Sequence, residues 1–350
     1  MLAMRNRIRV TRLTGVIMEA ADAMGMGVDT VNIFKNKEIH DSNSRTVIGD
    51  HFGHVQQSTC FGHSFEQAER HRLAACPDSQ SVHGQRSGPE EQRLQGHWLL
   101  AKMGKRVLRP GGIELTRAML DAVGVNADHD IVEFGPGVGK TAALLLAVNP
   151  RSYTGIDPNP EGETAMGEIV SEHRQARMVK ADAARTGLPD ASASLVIGEA
   201  MLTMLPLERK RAVVREAARI LKPGCRYAIH EMGLKPEDAD RQLRNDLERG
   251  ISRAIHVGAR PLTLPEWVDI LDGEGFDVTA TLERPMHLLE PARIVSDEGF
   301  GGAMRFAGNM IRNSAGRKRV LAMRKVFRRY DANLCAYAIV AAKRRKTEGR

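Results

Sequence analysis

The chain has 350 residues, of which 42% are apolar and 27% charged, a composition typical of a globular protein with one large domain or two ordinary ones. It has no apolar run of about 18 residues and no apolar core behind its N-terminal arginines, so the sequence predicts neither a membrane span nor a secretory signal. Its four cysteines are widely separated, which argues against a disulfide framework and favours a reducing, cytoplasmic compartment.

The formal net charge of +8 is unevenly distributed along the chain. Residues 1–95 hold 11 basic and 11 acidic side chains, whereas residues 301–350 hold 14 basic and two acidic ones. Residues 96–300 therefore have a net charge of −4. Attraction to an anionic partner would have to come from the C-terminal segment.

Residues 1–95 lack the periodicity of a folded domain and are predicted to be a poorly ordered or accessory leader. Four side chains there, His51, His54, Cys60 and His63, have spacings of 3, 6 and 3 residues, which resemble the spacing of zinc ligands. No flanking pattern supports such a site, so the sequence favours a leader without a metal. The folded domain is predicted to span residues 96–350.

Two helices precede the first predicted strand. The apolar face of residues 97–108 predicts a helix that ends before Pro110, and residues 114–123 have a second helical pattern. Strands and helices then alternate, with strands over residues 131–134, 152–156, 176–180, 193–197 and 226–230, and helices over 141–148, 165–173 and 207–221. This alternation predicts parallel βαβ units in one open sheet, with a ligand at the carboxyl ends of its strands.

Beyond the fifth strand the regular alternation ends. The pattern there predicts a charged helical stretch over residues 236–257, a helix over 264–271, a strand over 276–282, an irregular segment over 285–308, a basic helix over 309–329 and a last strand over 334–342. Insertions around residues 236–262 and 285–330 are therefore predicted to form a lid or a substrate-binding surface.

A glycine-rich turn follows the first predicted strand, and three interpretations compete for it. A phosphate-binding P-loop would require glycine where Phe134 stands, although the sequence ends as such a loop does. A dinucleotide fingerprint would require glycine where Lys140 stands. The pattern present is Glu-x-Gly-x-Gly-x-Gly, formed by Glu133, Gly135, Gly137 and Gly139.

This pattern, with Asp157 after the second strand, Asp182 after the third and the turn 219–224 before the fifth, resembles the class I S-adenosylmethionine (SAM) dependent methyltransferases, small-molecule branch. The resemblance covers about residues 97–283, and Cys225 departs from it by replacing a second glycine. It implies an α/β fold: a Rossmann-like, seven-stranded, mostly parallel sheet with helices on both faces and a late antiparallel strand. It also implies SAM as the cofactor.

Each part of SAM has a predicted partner. The three glycines would let its tail and ribose lie against the backbone, and Glu133 would accept hydrogen bonds from its ammonium group. Asp157 lies 22 residues after Gly135, a separation at which an acidic residue reaches ribose hydroxyls, while also starting an Asp-Pro turn. The resemblance implies that Asp182 meets the adenine amino group, with a helix N-cap as the alternative. The predicted cofactor-binding residues are Glu133, Gly135, Gly137, Gly139, Asp157, Asp182, Ala183 and Glu199.

The stretch after the fourth strand disfavours several methylation chemistries. Enzymes that methylate exocyclic amines of bases carry an Asn/Asp-Pro-Pro-aromatic motif there, whereas this chain has Glu199, Ala200, Met201 and Leu202. No Pro-Cys nucleophile for cytosine C5 methylation occurs, and no cluster of carboxylates suggests a magnesium-dependent catechol enzyme.

Methyl transfer requires a base only when the acceptor atom carries a proton. His230 and Glu231, at the predicted end of the fifth strand, are the first candidates, and His256 on the following helix is another. The alternative for His230 is a structural histidine at the end of the strand, with its hydrogen bonds satisfied within the protein.

The predicted acceptor is a small, hydrophobic organic molecule methylated at O, N or C. Apolar residues proposed to line its pocket are Met201, Leu202, Met204, Met286, Leu288, Leu289, Met304 and Met310. The basic segment from Arg305 to Arg329 leaves open RNA or protein methylation, although nucleic acid is not favoured because few aromatic residues are available for stacking. Peripheral contact with an acidic membrane and a non-catalytic SAM-binding module are further alternatives.

Overall fold

A computed structural model describes residues 94–345 of the chain. Residues 1–93 of the predicted leader, with its possible zinc ligands His51, His54, Cys60 and His63, lie outside these residues.

Seven strands of the described part form one mixed sheet. They are β1 Asp130–Phe134, β2 Ser152–Ile156, β3 Ala176–Val179, β4 Ala193–Glu199, β5 Leu221–Leu234, β6 Phe276–Pro285 and β7 Leu334–Lys343. Their order is β3-β2-β1-β4-β5-β7-β6; the pairs from β3 to β5 are parallel, and β7 runs antiparallel to both of its neighbours. The predicted seven-stranded, mostly parallel sheet with a late antiparallel strand is therefore confirmed.

Helices cover both faces of this sheet. They are α1 Gly96–Lys102, α2 Gly112–Val123, α3 Lys140–Ala147, α4 Glu163–Ser171, α5 Leu207–Ile220, α6 Arg241–Ile255, α7 Leu264–Gly273, α8 Pro291–Arg312 and α9 Ser314–Arg329. Consecutive strand residues point to opposite faces, so Ile131 packs with α2, α3 and α4 whereas Val132 packs with α5 and α7. Burial on both faces explains why the strands have apolar runs instead of alternating patterns.

The packing on each face of the sheet forms one apolar core. A third apolar core lies beyond the ends of the sheet and is formed mainly by α1, α6, α8 and α9. These four helices are called the cap below. On the sheet side the cap packs against the last residues of β5, Met232 and Leu234, and against Met286 just after β6. The segments predicted as insertions, 236–262 and 285–330, supply α6, α8 and α9 of the cap.

The prediction of an irregular segment over residues 285–308 is wrong. Helix α8 begins at Pro291 and continues through a kink at Gly299, whose φ of 70° is left-handed. Beyond the kink, buried residues Ala303, Phe306, Ala307 and Met310 recur at helical spacing, which the abundant glycines obscured in the sequence. The predicted single basic helix is likewise divided at Asn313, whose side chain accepts from the Gly316 backbone and starts α9.

Two of the differences between predicted and observed element bounds matter for the site. The first helix ends at Lys102 instead of residue 108, so residues 103–111 form an irregular segment beside the sheet. Strand β5 runs to Leu234, four residues beyond the predicted end, because antiparallel pairing with β7 continues from Arg226 to Leu234.

Gly233→Ala is expected to lower the free energy of unfolding by about 1–3 kcal/mol, the usual range for overpacking. An added Cβ would lie 2.3 Å from Cε2 of Tyr337 and 2.4 Å from Sγ of Cys335, both buried on β7. In the control Gly273→Ala, the added Cβ meets no heavy atom within 4 Å. Urea unfolding of both variants measures the effect, and equal stabilities would contradict it.

Candidate active site

A cavity of about 410 Å³ opens at the carboxyl ends of β1, β2 and β4, between the sheet and the cap. This volume is within the range of small-molecule binding pockets, about 300–1,000 Å³. On the sheet side the lining includes six of the eight predicted cofactor residues: Gly135, Gly137, Asp157, Asp182, Ala183 and Glu199. Glu133 and Gly139 do not line it.

The three glycines of the turn have different roles. Gly135 and Gly137 have φ of 65° and 56°, and an added Cβ on Gly137 would meet no heavy atom nearer than 4.0 Å. The absence of side chains therefore leaves a backbone cradle in the cavity wall. On Gly139 an added Cβ would lie 2.3 Å from Cδ1 of Ile169, so this glycine is required for packing against α4 and not for ligand access.

Asp157 stands at the cavity wall directly after β2. Its Oδ2 accepts a hydrogen bond from the Gly137 backbone at 3.3 Å, and its Oδ1 accepts from the Asn159 backbone at 2.9 Å. The carboxylate is thus tied both to the glycine cradle and to the turn that follows β2. It keeps lone pairs for a ligand because a carboxylate can accept about four hydrogen bonds.

Asp182 lies on the cavity wall after β3 and forms a turn. Its Oδ1 accepts from the Ala184 backbone at 2.8 Å, and its Oδ2 pairs with Arg209 of α5. No helix starts at Asp182 in the described chain, so the alternative of a helix N-cap is wrong. Arg209 also lines the cavity and was not singled out from the sequence.

Glu199, at the end of β4, joins four parts of the structure. Its Oε1 accepts from the Thr116 hydroxyl at 2.7 Å and lies 3.0 Å from Nδ1 of His230. Its Oε2 lies 2.8 Å from Nη1 of Arg109 and accepts from the Thr141 hydroxyl. Burial opposes ionisation, but the charge of Arg109 and the hydrogen bonds lower the pKa of Glu199 to about 2.

Glu133 lies behind the cradle and is only 3% exposed. Its Oε2 accepts from the Tyr153 hydroxyl at 2.6 Å. Burial, reinforced by the nearby charges of Glu199 and Asp157, outweighs the effects of Tyr153 and Arg109 and raises the pKa of Glu133 to about 8. At neutral pH this carboxyl therefore holds a proton, unlike Glu199.

The candidate bases His230 and Glu231 are fully buried and do not line the cavity. Nε2 of His230 lies 2.5 Å from the Pro110 carbonyl oxygen, and its Nδ1 faces Glu199. This differs from the expectation because β5 continues to Leu234, which leaves both residues inside the strand instead of at its end. His230 therefore supports other parts of the site.

Glu231 fixes the segment that follows β4. Its carboxylate accepts from the backbone N–H groups of Met201, Leu202 and Thr203 and from the Thr203 hydroxyl, at 2.7–3.0 Å. His256, the third candidate base, caps the end of α6 with φ of 55°. Its neighbours Ile255 and Val257 line the cavity, but His256 does not.

The cap side of the cavity is largely apolar. Apolar residues on it include Trp98, Leu108, Met232, Val257, Met323 and Phe327. Of the predicted pocket residues, Met201, Met204 and Leu288 line the cavity. Leu202, Met286, Leu289 and Met310 are buried core residues outside the lining, and Met304 lies outside it too.

Further polar residues of the lining were missed from the sequence, among them Arg109 and His97. Arg109 precedes the turn at Pro110, which was interpreted only as a helix end; a lone arginine between Leu108 and a proline was the available signal. His97 lines the cavity from α1, and burial lowers its pKa to about 4, so its imidazole is neutral at pH 7.

Within residues 94–345, no group of three or more His, Cys, Asp or Glu side chains is placed to hold a metal ion. Among the helices of the same residues, none combines the length and apolar character that a membrane crossing requires.

Sequence comparison places the sheet side of this cavity within a known domain type. Residues 132–229 match a family profile described as "Methyltransferase domain". An uncharacterised protein of Haemophilus influenzae is 31% identical over 251 residues, which cover 71% of this chain and 98% of that protein. Methyltransferase GfsG of Streptomyces halstedii is 30% identical over 126 residues, 36% of this chain and 45% of that protein.

Solved structures share the fold. The [4+2]-cyclase SpnF superposes with a TM-score of 0.55 at 16% identity, covering 75% of this chain and 99% of that one. Phosphoethanolamine N-methyltransferase 2 of Haemonchus contortus, solved with SAM, gives a TM-score of 0.53 at 14% identity, covering 71% of this chain and 57% of that one. The cradle of Gly135 and Gly137, with Asp157 beside it, is a backbone surface that fits SAM. The chain belongs to the class I SAM-dependent methyltransferases, and SAM is its cofactor.

Proposed function

We propose that the chain transfers the methyl group of SAM to a small, apolar organic acceptor bound in the same cavity. The observation that carries this proposal is the two-sided lining: a glycine cradle with carboxylates on the sheet side, and apolar side chains on the cap side. A cationic nucleoside suits the first surface, and an apolar molecule suits the second.

On the sheet side, the backbone of Gly135 and Gly137 would receive the amino-acid tail of SAM. Asp157 would accept hydrogen bonds from the ribose hydroxyls. An ionised carboxylate suits this role because it can only accept hydrogen bonds and each hydroxyl has one to donate. Asp182 and Ala183 would meet the adenine. Glu199 would place its negative charge near the ammonium and sulfonium groups. Glu133, behind the cradle, would lose its proton when the ammonium group binds.

On the cap side, the apolar residues would hold the acceptor in line with the methyl group and exclude water. When bound, SAM supplies a methyl group on a positively charged sulfur: the S–CH₃ bond breaks as the acceptor–CH₃ bond forms, and sulfur keeps the electron pair. His230 and Glu231 would act indirectly, since both are bonded to backbone or side chains of the cavity wall.

The orientation of the basic helix α9 favours a small acceptor over RNA. Its Met323 and Phe327 line the cavity, whereas Lys318, Lys325 and Arg329 are exposed about half a turn away. The basic stripe therefore faces away from the cavity. Arg324 and Arg328, on the same helix, pair with Glu290.

Incubation of the protein with methyl-labelled SAM and a cell extract tests the acceptor class. We expect label in the fraction soluble in organic solvent, because the cap side of the cavity is apolar. Label in RNA or protein would identify one of the alternative acceptors. Failure of the protein to bind S-adenosylhomocysteine in calorimetry would overturn the proposal as a whole.

Asp157→Asn is expected to weaken S-adenosylhomocysteine binding by about 10- to 100-fold. Hydrogen bonds to a charged group contribute about 1.5–3 kcal/mol, and about 1.4 kcal/mol corresponds to a factor of ten. Calorimetric titration measures the loss. The control is Asp128→Asn, since the Asp128 side chain is 93% exposed and outside the cavity lining. Equal affinities of the two variants would contradict the ribose-binding role.

Binding of S-adenosylhomocysteine is expected to strengthen as pH rises from about 6 to about 8. The free protein holds a proton on Glu133, whose pKa burial raises to about 8, and a bound ammonium group favours the ionised form. Binding therefore releases a proton, so the affinity rises by at most about tenfold per pH unit. Glu199 stays ionised and His97 stays neutral over this range.

Calorimetry in buffers with different ionisation enthalpies measures the released proton. Glu133→Gln should abolish the release and flatten the pH profile, while Glu168→Gln, on the exposed side of α4, should leave both unchanged. A profile that persists in Glu133→Gln would show that another group titrates.

A further inference from the structure

Arg109 has one satisfied edge and one unsatisfied edge. Its Nη1 donates to the Thr141 hydroxyl at 2.7 Å and lies 2.8 Å from Glu199 Oε2. Its Nε and Nη2 are buried and have no hydrogen-bond partner in the part of the chain that the structure describes. The residue is only 7% exposed and lines the cavity. Buried N–H groups without partners are costly, which points to a ligand at this edge.

We propose that the Nε–Nη2 edge of Arg109 is the carboxylate-binding site of the cavity and that it holds the α-carboxylate of the cofactor. The two N–H groups of this edge are parallel and match the two oxygens of a carboxylate. A lysine would supply the charge without this geometry. This inference rests on the proposed function, which places the cofactor tail in the same cavity.

The position of Arg109 favours the cofactor over the acceptor as the source of the carboxylate. Its Nη1 is bonded to Thr141, which lies in the first turn of α3 directly after the glycine cradle. The tail that lies against Gly135 and Gly137 therefore ends close to the guanidinium. The remaining partner, Glu199, neutralises one unit of charge and leaves the free edge to recognise an anion by its shape.

Helix α8 holds the segment that carries Arg109. Nζ of Lys105 and Oδ2 of Asp297 form an ion pair at 2.9 Å, with both side chains 0% exposed. Oδ1 of Asp297 accepts from the Ile113 backbone at 3.0 Å. Glu298 Oε1 accepts from the backbones of Arg106 and Val107, both at 2.7 Å. Segment 105–113 is thus fixed on both sides of Arg109.

The sheet supplies the last support. Nε2 of His230 meets the carbonyl oxygen of Pro110, the residue after Arg109. Asp297, Glu298 and His230 are therefore positioning residues for Arg109, and the cap is coupled through α8 to the cofactor tail. Because Glu298 directly precedes the kink at Gly299, the coupling sits where α8 changes direction.

The test compares two ligands in calorimetry: S-adenosylhomocysteine and its decarboxylated analogue, 5′-S-(3-aminopropyl)-5′-thioadenosine. The unaltered protein should bind the first about 10- to 100-fold more tightly, as expected for a bidentate, charge-assisted pair. Arg109→Lys keeps a charge beside Glu199 but lacks the second parallel donor, so the ratio of the two affinities should fall most of the way to one. In Arg109→Gln the two affinities should be equal.

Each other outcome has a distinct meaning. If neither ligand binds the unaltered protein, the proposed function fails. If both bind equally, or if the ratio persists in Arg109→Lys, the assignment of Arg109 is overturned while the proposed function stands. A third outcome is that the affinity ratio is the same in the Arg109 variants as in the unaltered protein, while decanoate binds the unaltered protein loaded with S-adenosylhomocysteine but not the loaded variants. That outcome would assign the carboxylate to the acceptor and overturn the cofactor assignment.

The positioning role has its own readout. Glu298→Ala removes the acceptor for the Arg106 and Val107 backbones, so it should lower the affinity ratio while binding of the decarboxylated analogue stays unchanged. Glu298→Gln keeps an acceptor oxygen and should restore the ratio. An equal loss of affinity for both ligands in Glu298→Ala would indicate a general structural role and would overturn the coupling between α8 and Arg109.

Discussion

The site depends on one buried anion, the carboxylate of Glu199. Taking a charge out of water is costly unless partners surround it, and here donors come from α2, α3, β5 and the segment before α2. Each donor belongs to a different element, so the carboxylate fixes the distances between them. The low pKa of Glu199 follows from this arrangement. The contact occupies only Nη1 of Arg109, whose Nε and Nη2 have no hydrogen-bond partner among the described residues.

The same constraint explains why the residues expected to act as bases have supporting roles. His230 and Glu231 occupy consecutive positions in β5, so their side chains leave opposite faces of the sheet. His230 contacts Glu199 and Pro110, while Glu231 accepts hydrogen bonds from three backbone N–H groups after β4. The end of β4, the segment that follows it and the segment that carries Arg109 are thus held in place from β5, and the cavity wall is built on that support. Methyl transfer requires such positioning more than it requires a proton acceptor.

Local patterns in the sequence were sufficient for the sheet and for much of the cofactor side of the cavity. Apolar runs separated by glycine and proline marked the strands, and the spacing of Asp157 from the glycine turn placed it on the cavity wall. The sequence did not reveal the length of β5, since that depends on pairing with β7 about a hundred residues later. Nor did it reveal the link between Arg109 and Glu199, because a tertiary contact across 90 positions leaves no periodic signal.

The Lys-Thr pair after the glycine turn shows how tertiary contacts select among ligands. In a P-loop, the threonine hydroxyl would serve a magnesium ion and the surrounding N–H groups a phosphate. Here the Thr141 hydroxyl is bound to Glu199, and the cradle is flanked by the carboxylate of Asp157. A triphosphate would meet two negative charges at close range, whereas a ligand with a sulfonium and an ammonium group would be attracted by both. The single carboxylate of such a ligand would then require a cation, and Arg109, whose Nη1 donates to Thr141 just after the cradle, would supply one.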